Sequence, residues 1–527
     1  MSHGSSPVVD PTRLSRRSAL LAGLGLTAAP VLLGGCGGGS EGGSGGGATG
    51  PAASGGVLRA ARPLPSTSES LDPASSLCAY EYLGALYNRL VKQAPDGTLA
   101  PDLATEWTGS ADAKQWTFTL RDGVTFHDGK AFTSADAAYT LNHILDPATD
   151  SPQAAVLSDF LDAAGITTPD ATTLVLDLSQ PNAEFPSLLV NYNCYVIQDN
   201  SAATVGSKGV GTGPFKLESF VPGGKGVVTA YADHFGGAPK LDRIEFSAIA
   251  DTQARVNALL GGQVDIAMQT NLDVATAKTV AANPTTTTAV VKAATWYVMP
   301  MLFTAAPFQD VNVRKAFKLA YDPTELMALA VGGQGTVAHD NPVPPTDPNW
   351  LDYSVEKDPE QAKSLLAKAG FSGPQAMFTS TVDPVLSPLA QAYQGSVKAA
   401  GLGIEVQTAA ADSYYTDVWM KQPFMTSYWY TGRPVDQLLN QIFRSGASYN
   451  ESMWSNAQFD GLLDAARAEM DDTKRRTLYQ DAQKLVVDEG STISPFFADR
   501  VTGLSRKVAG YSEYGFEFDY VNIGLSA

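Results

Sequence analysis

Gly42-Gly43-Ser44-Gly45-Gly46 spells the turn that presents a nucleophilic serine in many hydrolases. That turn works only between a strand and a helix, where a strained backbone exposes the hydroxyl. Here it is embedded in a run of Gly, Ser and Ala with neither element beside it, so the match is compositional. Gly37 to Gly42 satisfies a dinucleotide-type glycine pattern in the same empty way. Gly123 to Ala131 approaches a phosphate-cradling loop, but its glycine spacing is off by one and no Ser or Thr follows Lys130. It reads as a turn. Five histidines are present: His3 near the start, then His127, His143, His234 and His339, none with a second ligand at metal-binding spacing. Asp471-Asp472 is a carboxylate pair on a polar helix end. No arrangement calls for a nucleophile, an acid–base pair, a metal or a cofactor. The expectation is a protein that is not an enzyme.

The elements that would position binding residues follow from length and pattern. At 527 residues the chain exceeds what one hydrophobic core supports, so two or three lobes are expected. A net charge of −18 repels nucleic acid phosphates and anionic headgroups, which excludes both as direct partners. Gln115 to Arg121 alternates in polarity as a half-buried strand, Arg121-Asp122-Gly123 turns it, and Val124 to His127 starts another. Thr133 or Ser134 caps a helix carrying Ala137, Leu141 and Ile144 on one face. Thr172 to Leu178 and Ile244 to Ile249 are further strands, and Asp251 opens a helix that Gly261-Gly262 ends. Helical spacing dominates later, in 313–320, 358–369, 459–470 and 473–488, before a strand-like tail from Ile493. The alternation implies an α/β class with open sheets.

The N-terminus is an address. Arg13, Arg16 and Arg17 precede the apolar run Ala19 to Leu26, and Leu33-Gly34-Gly35-Cys36 has the form of a lipobox, in which Cys36 becomes the acylated first residue. Ser15-Arg16-Arg17-Ser18-Ala19-Leu20 also resembles a twin-arginine export signal. Residues 1–36 are thus read as a signal peptide with lipobox and 37–56 as a Gly/Ser-rich tether. Export with a lipid anchor on the outer face of the cytoplasmic membrane is expected, with membrane contact through that anchor only. Of the remaining cysteines, Cys78 and Cys194, an oxidising compartment invites a disulfide; two buried thiols is the alternative, and the sequence leaves both open.

Several segments together resemble the extracellular solute-binding proteins of family 5, the peptide- and nickel-type binding proteins of ABC importers. They are Leu103 to Trp107 with Trp116 to Gly129, then Gly211 to Phe215 with Leu241 to Ile244 and Asp265 to Ala267. Pro307 to Phe317 with Tyr321-Asp322, and Phe459-Asp460 to Tyr479, follow in the family's order. The resemblance implies a periplasmic-binding-protein-like fold with two ligand-enclosing lobes and an extra third lobe, hinged between lobes I and III. Lobe I would comprise 57–88, 193–298 and 494–527, lobe II 89–192 and lobe III 299–493. A small peptide or peptide-like solute and the ABC permease subunits are the implied partners.

In peptide-binding members, a Trp-rich segment of lobe III carries an Asp that pairs with the ligand's amine. The corresponding stretch here is Tyr428 to Asp436, with Gly432 where that Asp would fall. Asp436 is a substitute at a different offset. Arg433 offers a planar fork of donors suited to a carboxylate or phosphate, so an anionic sugar-like or opine-like solute is the alternative ligand class. The resemblance also places Trp429, Tyr430, Trp296, Tyr80 and Tyr195 on segments bordering the cleft, with core packing as the competing role. Asp340 is a further candidate, or a turn cap. Cys78 and Cys194 fall on cleft-bordering segments as well, where a bridge would stiffen the wall. His127 reads as scaffold.

Overall fold

The computed structural model describes residues 53–63, 69–76, 78–94, 96–514 and 517–526. Residues 1–36, read as a signal peptide with Cys36 as its lipidation site, and residues 37–52 of the expected tether lie outside the described residues. Residues 53–56, assigned to the tether from composition, are instead docked on the body. The Ala53 N–H donates to the Leu525 carbonyl at 2.9 Å, and the Gly56 N–H donates to Asp242 Oδ2 at 2.9 Å.

A nine-stranded mixed sheet is the frame. Its main path runs Ser427–Tyr430, Thr286–Pro300, Thr492–Ser505, Ile266–Ala267, Val57–Arg62, Arg243–Ala248, Lys225–Ala230, Phe215–Phe220, with Gly335–Val337 also paired to Thr492–Ser505. Val57–Arg62 is parallel to both its neighbours, and the other pairs are antiparallel. A separate four-stranded antiparallel sheet contains Ala104–Gly109, Gln115–Leu120, Thr173–Asp177 and Ile166–Asp170. Pro374–Ser380 and Gly403–Ala409 form a parallel pair. This is a mixed α/β architecture, as the alternation in the sequence implied.

The local reasons are those of the sequence. Along Gln115–Leu120 the buried positions alternate, sending Trp116, Phe118 and Leu120 into one core. Each such side chain contributes about 1.5–3 kcal/mol on burial. The helix Ser134–Leu145 packs Ala137, Leu141 and Ile144 onto the same core. It starts at Thr133, whose N–H the Asp136 carboxylate accepts at 2.8 Å. Asp251 caps Thr252–Leu260 by accepting the Ala254 N–H at 2.7 Å.

One expected strand is absent. Val124 to His127 forms a single bridge, Thr125 to Ala131, because the Asp128-Gly129 turn closes at once. The Phe126 N–H reaches the Lys130 carbonyl at 2.8 Å and the Phe132 N–H that of Val124 at 2.9 Å. His127 staples this loop to the next segment. Its Nδ1 accepts the Gly211 N–H at 3.2 Å and its Nε2 donates to the Gly213 carbonyl at 2.9 Å, while burial pushes its pKa down to about 4.

The two long strands thread separate cores. Ala289 and Leu504 pack with Leu58, Ile244 and Phe246, whereas Trp296, Val298 and Phe497 pack with Leu439, Phe443 and Trp454. Tyr297, Met299 and Phe496 face a third cluster with Phe317, Leu389 and Phe424. Between these regions the pairing breaks, at Val291/Thr295 and again at Tyr297/Met299. Ala293 sits there at φ +50°, a left-handed conformation that alanine adopts only under tertiary constraint. Asp499 fills the break, accepting the Ala293 N–H at 3.1 Å and the Lys292 ammonium at 2.8 Å.

A second contact joins the four-stranded body to the C-terminal helices Ala457–Ala468 and Asp472–Glu489. Glu184 pairs with Arg475 at 2.5 Å, the Ala183 N–H donates to the Arg467 carbonyl at 2.8 Å, and the Arg467 guanidinium lies 4.7 Å over the Phe160 ring.

Candidate ligand-binding cleft

A cavity of about 260 Å³ opens where the bodies meet. The break strand supplies Val291 and Lys292, the hairpin ahead of the four-stranded sheet supplies Gln93 and Gly97, and the loop after Ser427–Tyr430 supplies Gly432 and Arg433.

Four charged side chains on this cavity differ in how far they are already satisfied. Lys292 is paired with Asp499, Glu513 with Arg500 at 2.7 Å, and Asp347 accepts the Asn349 N–H at 2.7 Å and its side-chain amide at 3.1 Å. Arg433 has neutral partners only: Nε donates to Gln441 Oε1 at 3.2 Å and Nη1 to the Tyr430 carbonyl at 2.6 Å. Among the described residues no carboxylate forms an ion pair with it. Its guanidinium sits 5.2 Å over the Trp429 ring, and desolvation lowers its pKa. Such a cation gains strongly from an anion delivered with the ligand.

The geometry sorts the candidates. Arg433 lines the cavity, with its guanidinium over Trp429 and its Nη1 on the Tyr430 carbonyl. Tyr80 packs edge-on against Tyr192 at 4.7 Å, and the Arg433 charge reaches the Tyr192 phenol. Tyr195 is buried beneath Arg89, whose guanidinium lies 4.8 Å over the ring, so it belongs to the core. Trp296 is likewise core, 1% exposed between Phe443 at 6.0 Å and Phe497 at 6.2 Å. It stands opposite Trp429 in the ladder, on the same face, and is packed fully into that core.

Two carboxylates are corrected outright. Asp436 is 0% exposed because the helix Val435–Ile442 rotates it inward. Arg467 clasps it with bonds of 2.9, 3.1 and 3.0 Å, and Tyr479 donates at 3.2 Å. Asp340 is also buried, accepting the Tyr321 hydroxyl at 2.9 Å and the Ser494 N–H at 2.7 Å. Both are buried, and neither lines the cavity. The cysteines are not bridged: Cys194 Sγ lies 3.8 Å from the Leu188 carbonyl in the core, and burial pushes its thiol up to about 12.

Sequence reasoning missed Glu451. This buried carboxylate accepts the Trp429 indole N–H at 2.9 Å and also holds Trp419 and Ser427, fixing the ring on which Arg433 rests. It stands 22 residues from Trp429, with no local pattern to announce the pairing. Tyr192 and Tyr449, whose phenols lie within the electrostatic reach of Arg433, were missed for the same reason.

Long strands threading separate packed cores, with a cavity lined by a cation that has no ion-pair partner among the described residues, suit a protein that binds a small solute. The chain belongs to the bacterial extracellular solute-binding proteins, family 5, whose model matches residues 98–450. It is the solute-binding component of an ABC importer. The heme-binding protein A of Haemophilus influenzae is 27% identical over 82% of this chain and 85% of its own. The probable D,D-dipeptide-binding periplasmic protein DdpA of Escherichia coli is 25% identical over 84% and 89%. Among solved structures, the HbpA2 protein of Haemophilus parasuis superposes with a TM-score of 0.77 at 21% identity, covering 90% of this chain and all of that one. The substrate-binding protein CtaP of Listeria monocytogenes superposes at 0.79 and 20% identity with the same coverage. The family consists of binding proteins of transporters and works outside the cytoplasmic membrane. Among the described residues no helix is long and apolar enough to cross a membrane.

Proposed function

We propose that the protein captures a small peptide-like solute bearing an anionic group, which Arg433 receives, and presents it to the permease. The observation that carries this is the Arg433 guanidinium, seated over Trp429 in the cleft with no carboxylate paired to it among the described residues. Curated relatives named for dipeptides and glutathione support the peptide-like class. A sugar-like or opine-like anion would satisfy the same fork.

Three lobes fit the packing: 57–88 with 193–298 and 494–527, then 89–192, then 299–493. The irregular joint in the paired long strands serves as the hinge, and solute contacts from both sides stabilise the closed form. Trp429, Tyr430, Tyr80 and Tyr192 form aromatic wall, with Glu451 as the positioning residue for Trp429. Acylation of Cys36 holds the protein at the outer face of the membrane.

Mass spectrometry of the solute co-purifying with the exported protein identifies the ligand, and calorimetry follows it. Arg433→Ala weakens an anionic solute by well over tenfold. Unchanged affinity removes Arg433 from the site and this reading with it.

A further inference from the structure

A second charge, of opposite sign, is linked to Arg433 through Tyr430. Asp383 follows the strand Pro374–Ser380 and is half-buried. Its Oδ1 accepts the Val385 N–H at 2.8 Å, an ordinary Asx turn that accounts for one oxygen. The Tyr297 hydroxyl lies 3.1 Å from Oδ1 and 3.3 Å from Oδ2, and among the described residues it is the one donor to Oδ2. A carboxylate has about four acceptor positions, so capacity is left over. Among the described residues no Lys, Arg or His forms an ion pair with it.

The surroundings are tyrosine. Tyr297 and Tyr428 lie 6.3 Å apart, Tyr428 and Tyr430 5.9 Å, and the Asp383 charge is felt by the phenols of Tyr415, Tyr428 and Tyr430. Ring faces carry negative potential and favour cations. This one faces a cluster of tyrosines, and burial pushes its acid form up to about 6. Tyr430, 40% exposed, joins it to the anion site: its carbonyl holds Arg433, and its phenol feels the Asp383 charge.

We propose that Asp383, walled by Tyr297, Tyr415, Tyr428 and Tyr430, is the subsite for an ammonium group of the solute. This deepens the reading of the cleft as a solute site and rests on it. With Arg433, the protein then selects a zwitterion: the carboxylate end meets the guanidinium and the amine end meets Asp383.

The test is calorimetry on the full-length protein with dialanine, tetra-alanine, ornithine and cadaverine, each beside its N-acetylated twin. At least one free amine binds tenfold or more tighter than its twin. Asp383→Asn reduces that preference to twofold or less, with the melting temperature not lowered. Succinate, an anion without an amine, reports on Arg433 alone: Arg433→Ala loses succinate and keeps the amine preference, so failures of the two readings are separable. No amine preference in the native protein, or a preference surviving Asp383→Asn, overturns the proposal. Rescue of amine binding by Asp383→Glu, but not by Asn, distinguishes charge from shape.

Discussion

A carboxyl kept without a cation in a tyrosine recess carries an energetic cost that can be read directly from pH. In the unfolded chain Asp383 titrates near 3.9, whereas burial pushes it up to about 6 in the fold. The folded state therefore holds the proton more tightly. Stability linked to this group is fully present below about pH 4 and is lost as pH rises through about 6. A difference of about 2 pH units corresponds to at most about 3 kcal/mol above pH 7. Asp383 is half-buried, so solvent screening reduces this to about 1.5 kcal/mol. Asp383→Asn removes the titration and leaves an oxygen for the Val385 N–H. Relative to the native protein, the variant should gain about 1.5 kcal/mol between pH 4 and pH 7.5, or roughly 3–6 °C in melting temperature for a lobe of about 200 residues. Paired thermal melts without solute, at half-unit pH steps, measure the gain. A difference between the two proteins that is independent of pH would refute the assigned burial and, with it, the absence of a compensating cation.

The Asp436–Arg467 pair makes the opposite prediction. Asp436→Ala strands a buried guanidinium and costs about 3–5 kcal/mol of stability, read as a lower melting temperature, while solute affinity of the folded protein is unchanged. Lost affinity at an unchanged melting temperature would return Asp436 to the cleft. His127, neutral in the fold with a pKa near 4 but about 6.5 when unfolded, costs stability as pH falls from 6.5 to 4. The contribution is at most about 3 kcal/mol, and His127→Gln should flatten that part of the stability profile in acid denaturation curves.

What could be read from the residues was local. Period-two burial in Gln115–Leu120 and the acidic caps at Asp136 and Asp251 are short-range physics, and they lie where the pattern placed them. Val124 to His127 has strand composition, but a turn immediately after it left no length for a ladder. Of the candidates, Arg433 lines the cavity, whereas the carboxylates Asp436 and Asp340 are buried away from it. Asp436 stands three residues from Arg433 in sequence, yet one helical turn sends it to Arg467, 31 residues away. Trp296 neighbours Tyr297, yet strand parity gives the two to opposite faces of the sheet. Asp383 carries no motif at all: its significance lies in what the fold withholds from it, and single-sequence patterns do not encode an absent partner.

That parity has a consequence of its own. Around Ala293 the long strand takes four steps, Val291 to Thr295, where its partner takes two, Arg500 to Ala498. Removing one residue there would not restore unbroken pairing, and sliding the strand by one position to absorb the loss would exchange Trp296 and Val298 with Tyr297 and Met299 and take the phenol away from Asp383. The joint proposed as the hinge thus also bears on which aromatic rings the passenger meets, so a change of its length for motion would also be a change for recognition.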